Sequence, residues 1–369
     1  MSKKKSRLMC NDADFSNLGI LRNHIAVSED GIRTAARRGE YEWWYFDNKF
    51  PDGSSLVVIF FINSITSIGN GFKPYVSFDF VSSNNEEIHT VYYPNKKDWY
   101  FSDLMCDVRI GDCYCRGDLN EYEIYFKNDV VESKIILKGN VPAWRPHCGR
   151  ISFNDKNYFA WLPSVPEGDA SVSIRYLKDE RNLHLNGTGY HDHNWGDKPM
   201  FFLMHHWYWG RAKIGDYTVI SSYITSNTKH SLCETPVFMI AKNGQILADD
   251  GISYLTYNEY DYEFSEITNK HFARTLEYDY NDGLTRYVIK YIKQEDVELH
   301  GMKDLCTAFQ RAILKLLKLD GSYHRVSGLA TLDKYENGKL IEHIEAPAMW
   351  EQMYFEKDKL RKIKLNYFI

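Results

Sequence analysis

From Glu40 onward the chain consists of short runs in which apolar and polar residues alternate, each ended by turn-forming residues. In Val76-Ser-Phe-Asp-Phe80 the apolar side chains fall on one face of an extended backbone, which predicts a strand buried on one side. Turns such as Pro51-Asp-Gly53 and Glu336-Asn-Gly338 separate neighbouring runs and are typical of antiparallel hairpins. The sequence therefore predicts an all-β protein of meandering antiparallel strands.

The runs form two blocks that meet near Asp197-Lys-Pro199, and the first block ends with the runs 171–177 and 182–188. A chain of 369 residues is long for one core, so two domains are expected. Aromatic residues make up 15% of the chain, which suits strands and equally suits a large apolar cavity lined by rigid side chains. We predict an N-terminal arm over 1–39, a first antiparallel β-barrel over 40–197 and a second over 198–369.

One segment departs from the strand pattern. Residues 302–318 place apolar side chains such as Leu305, Phe309 and Ile313 on one helical face, with lysines and Arg311 on the rest. This predicts an amphipathic helix in the second barrel. Packing against the barrel is the simpler interpretation, and peripheral contact with a membrane surface is the alternative.

Charge and cysteine content limit the partners and the compartment. A net charge of -5 with mixed signs gives no support for a nucleic-acid partner. The most apolar run, 56–62, is too short to span a bilayer, and no signal-peptide pattern follows Lys3-Lys-Lys5. The seven cysteines are scattered and form no CxxC pair, which favours reduced thiols in a cytoplasmic protein. The oligomeric state stays open.

The segment 187–196, GTGYHDHNWG, concentrates chemistry-bearing side chains. One interpretation is a metal site, because His191-x-His193 places two imidazoles on one face of an extended backbone. His205 and His206 are further candidate ligands, although adjacent strand residues point to opposite faces. An H-x-H pair without a wider ligand spacing is a weak metal signal, so we predict no metal.

The second interpretation is acid–base chemistry. On an extended backbone Tyr190, Asp192 and Asn194 share one face, and His191, His193 and Trp195 share the other. If aromatic clusters surround Asp192, burial raises its pKa and keeps it protonated near neutral pH. The simpler alternative is that Asp192 caps a turn and that the histidines are hydrogen-bonded core residues.

The sequence contains no GxSxG element, so it gives little support for a serine nucleophile. Further aromatic residues accompany the motif. They are most often plain core residues in a β-barrel, and the alternative is a wall of π faces that stabilises a cation in a substrate-binding cavity. The candidates for substrate binding, together with Asn194 and Trp195, are Trp43, Trp44, Trp161, His206, Trp207, Tyr208 and Trp209.

The stretches EWWYF, WLPSVP, GTGYHDHNWG, HHWYWGRAKIGDYTVISSYIT and WEQMYF resemble those of the AttH/carotenoid 1,2-hydratase (hydroxyneurosporene synthase) superfamily, which includes natural-product Diels–Alderases. The resemblance covers about residues 40–355. It implies two tandem lipocalin-like (calycin) antiparallel β-barrels, a cavity for an apolar small-molecule substrate, and neither a metal nor an organic cofactor.

In the hydratase branch an acid matching Asp192 protonates a terminal alkene, with a tyrosine matching Tyr190 and a tryptophan matching Trp161 beside it. A histidine that precedes this tryptophan in that branch is replaced here, where Phe159 and Ala160 stand. His191 and His193 also bring the motif closer to the AttH-like and natural-product branches. These two departures from the branch's pattern weaken a literal assignment as a carotenoid hydratase.

Three functions follow as hypotheses. The first is a cofactor-independent cyclase or hydratase, of the lyase or isomerase class, that protonates a polyene, terpenoid or prenylated substrate through Asp192. In it His191, His193 and Asn194 orient the acid or a water molecule. The second is a pericyclase that folds a polyene into its reactive conformer and binds its carbonyl group. The third is a non-catalytic lipocalin-like carrier of an apolar ligand.

Overall fold

The computed structural model describes residues 5–63, 71–95, 97–301, 303 and 319–356. Within these ranges 63% of the residues lie in strands and 6% in helices, and the strands form two antiparallel sheets, so the all-β prediction is confirmed. The chain divides into two compact units. One comprises Leu8–Met200 with Asn243–Gln245, and the other comprises Met1–Arg7, Phe201–Lys242 and Ile246–Ile369.

The first sheet has the strand order β5-β4-β3-β2-β13-β12-β10-β9-β8-β7-β6, with β1 and β11 attached beside β12. Its neighbours along the path are mostly consecutive hairpin strands, as the turn signals predict, and β13 returns to pair with β2. The strands are β1 (Arg7–Leu8), β2 (Tyr41–Lys49), β3 (Ser55–Asn63), β4 (Tyr75–Val81), β5 (Glu87–Tyr92), β6 (Trp99–Phe101), β7 (Cys106–Ile110), β8 (Cys113–Gly117), β9 (Glu121–Lys127), β10 (Val131–Gly139), β11 (Arg150–Phe153), β12 (Asn157–Tyr176) and β13 (Asn182–Gly196).

One face of this sheet encloses a single apolar cluster. In β3 and β4 buried and half-buried residues alternate, as the period-two pattern of the sequence requires. Strands as far apart in the sheet as β4 and β9 contribute to the same cluster, where Phe78 and Phe126 stack with ring centroids 4.8 Å apart. The sheet must therefore curl around this core.

The second sheet has the order β17-β16-β15-β14-β22-β21-β20-β19-β18 and encloses its own aromatic-rich cluster. Its last hairpin turns at Asn337 and Gly338, both with positive φ, as the Asn-Gly signal predicts. The strands are β14 (Met204–Ile214), β15 (Tyr217–Ser226), β16 (Glu234–Lys242), β17 (Gln245–Ala248), β18 (Leu255–Ser265), β19 (Lys270–Asn281), β20 (Thr285–Gly301), β21 (Ser322–Glu336) and β22 (Lys339–Tyr354).

Helical structure is scarce in the described residues. Helix α1 (Asp12–Leu18) begins at a capping box of Asn11 and Asp14 and ends at Gly19 in the left-handed region, and α2 (Gly251–Tyr254) is a single turn. None of the described helices is long and apolar enough to cross a membrane. The amphipathic helix predicted over 302–318 lies outside the described residues, apart from Lys303, so its packing and membrane interpretations stay predictions.

Strand β12 is longer than the sequence pattern indicates. The runs predict a strand only from Ser171, yet β12 begins at Asn157 and passes through Pro163 and Pro166. Register shifts against β13 occur between Pro163 and Val165 and again between Val165 and Gly168. A proline lacks an N–H donor, and irregular pairing of this kind accommodates it inside a sheet.

The glycines of the GTGYHDHNWG segment lie inside β13, and Gly189 pairs with Gly168 beside a register shift. A Cβ on Gly187 would lie 2.1 Å from the backbone oxygen of Lys49, and one on Gly189 would lie 2.5 Å from Leu137 Cδ1. The absence of a side chain at Gly187 therefore lets β2 approach β13 closely, which sets the position of the following motif residues.

We predict that Gly187→Ala lowers the midpoint of thermal unfolding much more than Gly338→Ala does. The first change forces a methyl group against the backbone of β2, whereas the Gly338 Cβ meets nothing within 4 Å and only its left-handed φ of 73° is unfavourable. The free energy of unfolding should fall by about 1 kcal/mol at Gly338 and by about 3 kcal/mol at Gly187. Circular dichroism melting of the full chain measures both, and equal midpoints would contradict the close approach.

Candidate functional site

The motif strand β13 lies between β2 and β12, and its side chains divide onto two faces. His191 is opposite Phe46 and His193 is opposite Trp44, both of which belong to the core of the first sheet. Directly paired residues share a face, so the two histidines point into that core. Tyr190, Asp192 and Asn194 point to the other face, as the alternation of the sequence predicts.

Asp192 accepts hydrogen bonds from three side chains, although only 6% of its surface is exposed. Trp161 Nε1 and Tyr190 Oη each donate to Oδ2 at 2.8 Å, and Asn194 Nδ2 donates to Oδ1 at 2.6 Å. Burial raises the pKa of Asp192 above its ordinary value, against the opposing effect of these donors and of His191. The result is an oriented carboxyl group that keeps its proton to higher pH than an exposed aspartate.

On the core face, His191 forms a buried ion pair with Asp30. Its Nδ1 lies 2.9 Å from the Tyr45 carbonyl oxygen and its Nε2 lies 3.1 Å from Asp30 Oδ2. Burial alone would lower the pKa of His191, but Asp30 outweighs this and raises the pKa to about 10. Burial alone would raise the pKa of Asp30, and the two histidines outweigh it and lower that pKa. His191 is therefore a cation near neutral pH.

His193 extends the same network. Its Nε2 lies 2.8 Å from Glu42 Oε1, its Nδ1 lies 3.4 Å from Asp30 Oδ1, and its ring stacks on Trp44 at 4.5 Å. Glu42 also accepts hydrogen bonds from the backbone N–H groups of Arg33 and Thr34 and from the Thr34 hydroxyl. This buried carboxylate is thus fully surrounded by donors.

That His191 and His193 orient Asp192 or a water molecule stays a prediction, and their ring nitrogens contact groups other than Asp192. Both rings lie on the opposite face of the strand and bond Asp30 and Glu42 instead, because successive strand side chains alternate in direction. Asn194 does bond Asp192, as expected. Any catalytic contribution of the histidines would act through their charge or through the strand.

Asp30, Cys106 and His191 also offer ligand atoms that lie within 4.8 Å of one another, and they could hold a metal ion. Their contacts fit an ion-paired network better, because Asp30 Oδ2 already accepts the Tyr122 hydroxyl at 2.5 Å and bonds His191. Burial also raises the pKa of the Cys106 thiol well above its usual range, whereas a metal site binds the thiolate.

Trp161 is positioned by the segment 140–149, which precedes β11. The Trp161 backbone N–H donates to the Gly149 carbonyl oxygen at 2.8 Å, and the Trp144 backbone N–H donates to the Pro163 carbonyl oxygen at 2.9 Å. The indole rings of Trp144 and Trp161 meet edge to face, with centroids 6.0 Å apart. The sequence did not indicate Trp144 as a site residue. The only signal for it was an aromatic residue in the string PAWRPH.

The other aromatic candidates of this unit divide between the two faces. Trp43 pairs with Asn194, so it lies on the Asp192 face, and it stacks on Tyr41 at 5.6 Å. Trp44 lies on the core face, and Trp195 packs against the His193 ring at 4.7 Å. Trp44 and Trp195 therefore lie on the face opposite Asp192, as the alternation predicts for Trp195, and their role in substrate binding stays a prediction.

The remaining candidates lie on β14 in the other unit. Tyr208 is fully buried in the second core and its hydroxyl lies 2.8 Å from that of Tyr354. His206 Nδ1 lies 2.7 Å from His205 Nδ1, next to a register shift between Met204 and His206. The half-buried side chains of Trp207 and Trp209 alternate with these core residues. Their role in substrate binding stays a prediction.

Curated relatives match about half of this chain. It is 38% identical over 201 residues to the quinolone epoxide rearrangement protein asqO of Emericella nidulans, covering 49% of this chain and 53% of the relative. It is 25% identical over 233 residues to hydroxyneurosporene dehydrogenase of Chlorobaculum tepidum, covering 50% of this chain and 58% of the relative. The chain thus spans between half and three fifths of the length of these relatives.

Solved structures share the fold at low identity. The crystal structure of CghA with Sch210972 is 11% identical with a TM-score of 0.59, covering 91% of this chain and 97% of that one. An AttH-like protein from Nitrosomonas europaea is 12% identical with a TM-score of 0.55, covering 91% of this chain and 99% of that one. These likenesses confirm the all-β, lipocalin-like fold that the motif resemblance implies.

The family of this chain is shown by a match to a family model. The model of a family described as Diels-Alderase-like matches residues 114–299, just over half of the chain. The matched range contains Trp144, Trp161 and the whole of β13. The superfamily predicted from the motifs is confirmed, and this chain belongs to the Diels-Alderase-like family.

Proposed function

We propose that this chain is a cofactor-independent acid catalyst that rearranges, cyclises or hydrates an apolar small molecule, with Asp192 as the proton donor. The observation that carries the proposal is the environment of Asp192: a buried carboxyl group with a raised pKa, held in one orientation by Trp161, Tyr190 and Asn194. Perturbed, oriented carboxyl groups are typical of general acids. Such a reaction falls in the lyase or isomerase class.

An epoxide is the substrate group that suits this acid best. An epoxide oxygen has lone pairs that accept a proton readily, whereas protonation of an alkene carbon breaks a π bond and requires a stronger acid. A raised pKa keeps the proton on Asp192 but weakens it as an acid. The relative from Emericella nidulans is named for quinolone epoxide rearrangement, which supports the same choice. A polyene or prenylated alkene is the second choice.

The proposed step balances without an oxidant or reductant. Asp192 transfers its proton to the epoxide oxygen as the bond from that oxygen to the more substituted carbon breaks. The cation at this carbon is captured by a carbonyl or hydroxyl oxygen of the substrate, by an internal alkene, or by water. Water or a hydroxyl group that captures the cation releases its proton to the Asp192 carboxylate. After capture by a carbonyl oxygen or an alkene, the carboxylate takes the proton from an N–H or C–H group adjoining the new cationic centre.

Aromatic faces near Asp192 supply the cation stabilisation that a weak acid needs. Trp161 touches the carboxyl group, and Trp43 lies on the same face of the sheet one pair away. Each desolvated cation–π contact is worth up to about 2 kcal/mol, so two of them approach a thousandfold in rate. Both residues were among the substrate-binding predictions.

A pericyclic reaction is the second candidate, and the family match favours it. In that case the cavity preorganises the substrate and a hydrogen bond to its carbonyl group activates it. Asp192 would then act as a fixed hydrogen-bond partner and would transfer no proton. A carrier without activity is the remaining alternative.

We expect Asp192→Asn to lower turnover of a prenyl-substituted quinolone epoxide by about two to four orders of magnitude. The amide keeps the shape of the side chain but has no proton of comparable acidity to transfer. Product formation is followed by chromatography and mass spectrometry. Asp169→Asn, an exposed position on the adjacent β12, is the matched control and should keep wild-type turnover.

Unchanged turnover in Asp192→Asn would rule out the acid mechanism and leave the pericyclase. A carrier would behave differently. The wild-type protein would then retain one molecule of epoxide per protein molecule and would form no product after long incubation.

The rate should depend on pH through Asp192. The carboxyl group acts while protonated, so kcat is high below its raised pKa and falls as the pH rises through it. Tyr190→Phe removes a donor that favours the carboxylate, so the pKa rises further and the fall in rate moves to higher pH. A pH–rate profile of both proteins measures this shift. Movement to lower pH would contradict the assignment of Asp192 as the acid.

Solvent deuterium separates the two substrate classes. Protonation of an alkene carbon in D₂O leaves deuterium bound to carbon in the product, whereas opening of an epoxide places it on oxygen, where it exchanges. We expect no carbon-bound deuterium from the quinolone epoxide and one deuterium from a prenylated alkene that is turned over. Carbon-bound deuterium in the epoxide product, measured by mass spectrometry, would contradict direct epoxide opening.

A further inference from the structure

The N-terminal arm carries two consecutive acidic residues that are buried beside the site. Glu29 is 8% exposed and Asp30 is fully buried, at the end of the 3₁₀ turn Val27–Asp30. Isolated buried carboxylates are unfavourable, so each must have a compensating partner. Both have one, and the two partners belong to different elements around Asp192.

Glu29 holds the segment 140–149. It forms an ion pair with Arg145, and the two side chains are 10% and 3% exposed. The same guanidinium donates to the carbonyl oxygens of His147 and Leu21, which ties the segment to itself and to the arm. Gly149 packs so closely on Arg145 that an added Cβ would lie 2.7 Å from Arg145 Cγ.

This segment in turn positions the indole that binds the acid. Trp144, adjacent to Arg145, contacts the Trp161 ring edge to face, and Gly149 accepts the Trp161 backbone N–H. Trp161 Nε1 donates to Asp192 Oδ2 at 2.8 Å. A continuous series of contacts therefore runs from Glu29 through Arg145 and Trp161 to the carboxyl group of Asp192.

Asp30 holds the other side of the site. Its Oδ2 bonds the Tyr122 hydroxyl and His191 Nε2, and its backbone oxygen accepts the Trp44 indole N–H at 2.9 Å. His191 precedes Asp192 on β13, so Asp30 fixes the core face of the strand directly behind the acid.

We propose that Glu29 and Asp30 are positioning residues that make the arm part of the active centre: Glu29 sets the Trp161 donor through Arg145, and Asp30 sets β13 through His191. The expected effect of these two residues on turnover rests on the proposed function. The placement of Trp161 and His191 by the arm can be measured without any substrate, so the two are separable.

The test compares Glu29→Gln and Asp30→Asn with Asp12→Asn, an arm residue whose carboxylate is 95% exposed in its pair with Arg22. We expect each buried variant to lower kcat for the quinolone epoxide about 10- to 100-fold with KM within about twofold, because a small displacement of the acid affects the reaction more than binding. The Asp12→Asn control should keep both constants.

Two NMR signals of the substrate-free protein report the two contacts: the hydrogen bond from Trp161 to Asp192 and the ion pair of His191 with Asp30. The Trp161 indole N–H resonance, assigned by its loss in Trp161→Phe, should move upfield in Glu29→Gln as its hydrogen bond to Asp192 weakens. The ring nitrogen shifts of His191, assigned by their loss in His191→Gln, should change from imidazolium to neutral imidazole in Asp30→Asn near pH 7.5. Asp12→Asn should change neither signal.

Lowered thermal stability with both signals and kcat unchanged would overturn the proposal, because it would leave the two acids a purely structural role. If Glu29→Gln does not fold, Arg145→Lys decides: it keeps the charge but cannot reproduce the guanidinium contacts, and an unshifted Trp161 signal there also overturns the proposal. Unchanged turnover in Asp192→Asn, together with shifted signals in the arm variants, would disprove the proposed function alone.

Discussion

The alternation of side chains along β13 is the constraint on which the site depends. It sends Tyr190, Asp192 and Asn194 to one face and His191 and His193 to the other, within five consecutive residues. The first face carries a carboxyl group with three donors, and the second carries a buried ion-paired network. Because one backbone supports both, displacement of either face is transmitted to the other through a stiff, doubly paired strand.

Burial gives the two faces opposite electrostatic character. At Asp192 desolvation outweighs both the three hydrogen-bond donors and the charge of His191, so the pKa of Asp192 rises. At Asp30 and His191 the mutual attraction of opposite charges outweighs desolvation, so the carboxyl pKa falls and the imidazole pKa rises. The protein thus keeps one aspartate able to hold its proton and another ionised, both buried against the same strand.

Much of the first sheet could be predicted from the residues. The period-two runs and turns such as Pro51-Asp-Gly53 predicted several of its hairpins, and the motif alternation identified which residues would share a face with Asp192. The first half of β12 was missed because Pro163 and Pro166 read as breaks, although bulged pairing accommodates them. The alternation placed Trp195 on the face opposite Asp192, whereas the face of Trp44 follows only from its pairing with His193.

The roles of the arm residues could not be predicted from a local sequence pattern. Residues 1–39 have no periodicity, so nothing in their sequence distinguishes Glu29 and Asp30 from solvated acids such as Asp12. Their roles depend on Arg145 and His191, more than 100 residues away along the chain. The sequence by itself determined the strand class, the two faces of β13 and the family. Only the tertiary structure decided which buried charges meet, because ion pairing depends on distance in space and leaves no local periodicity in the chain.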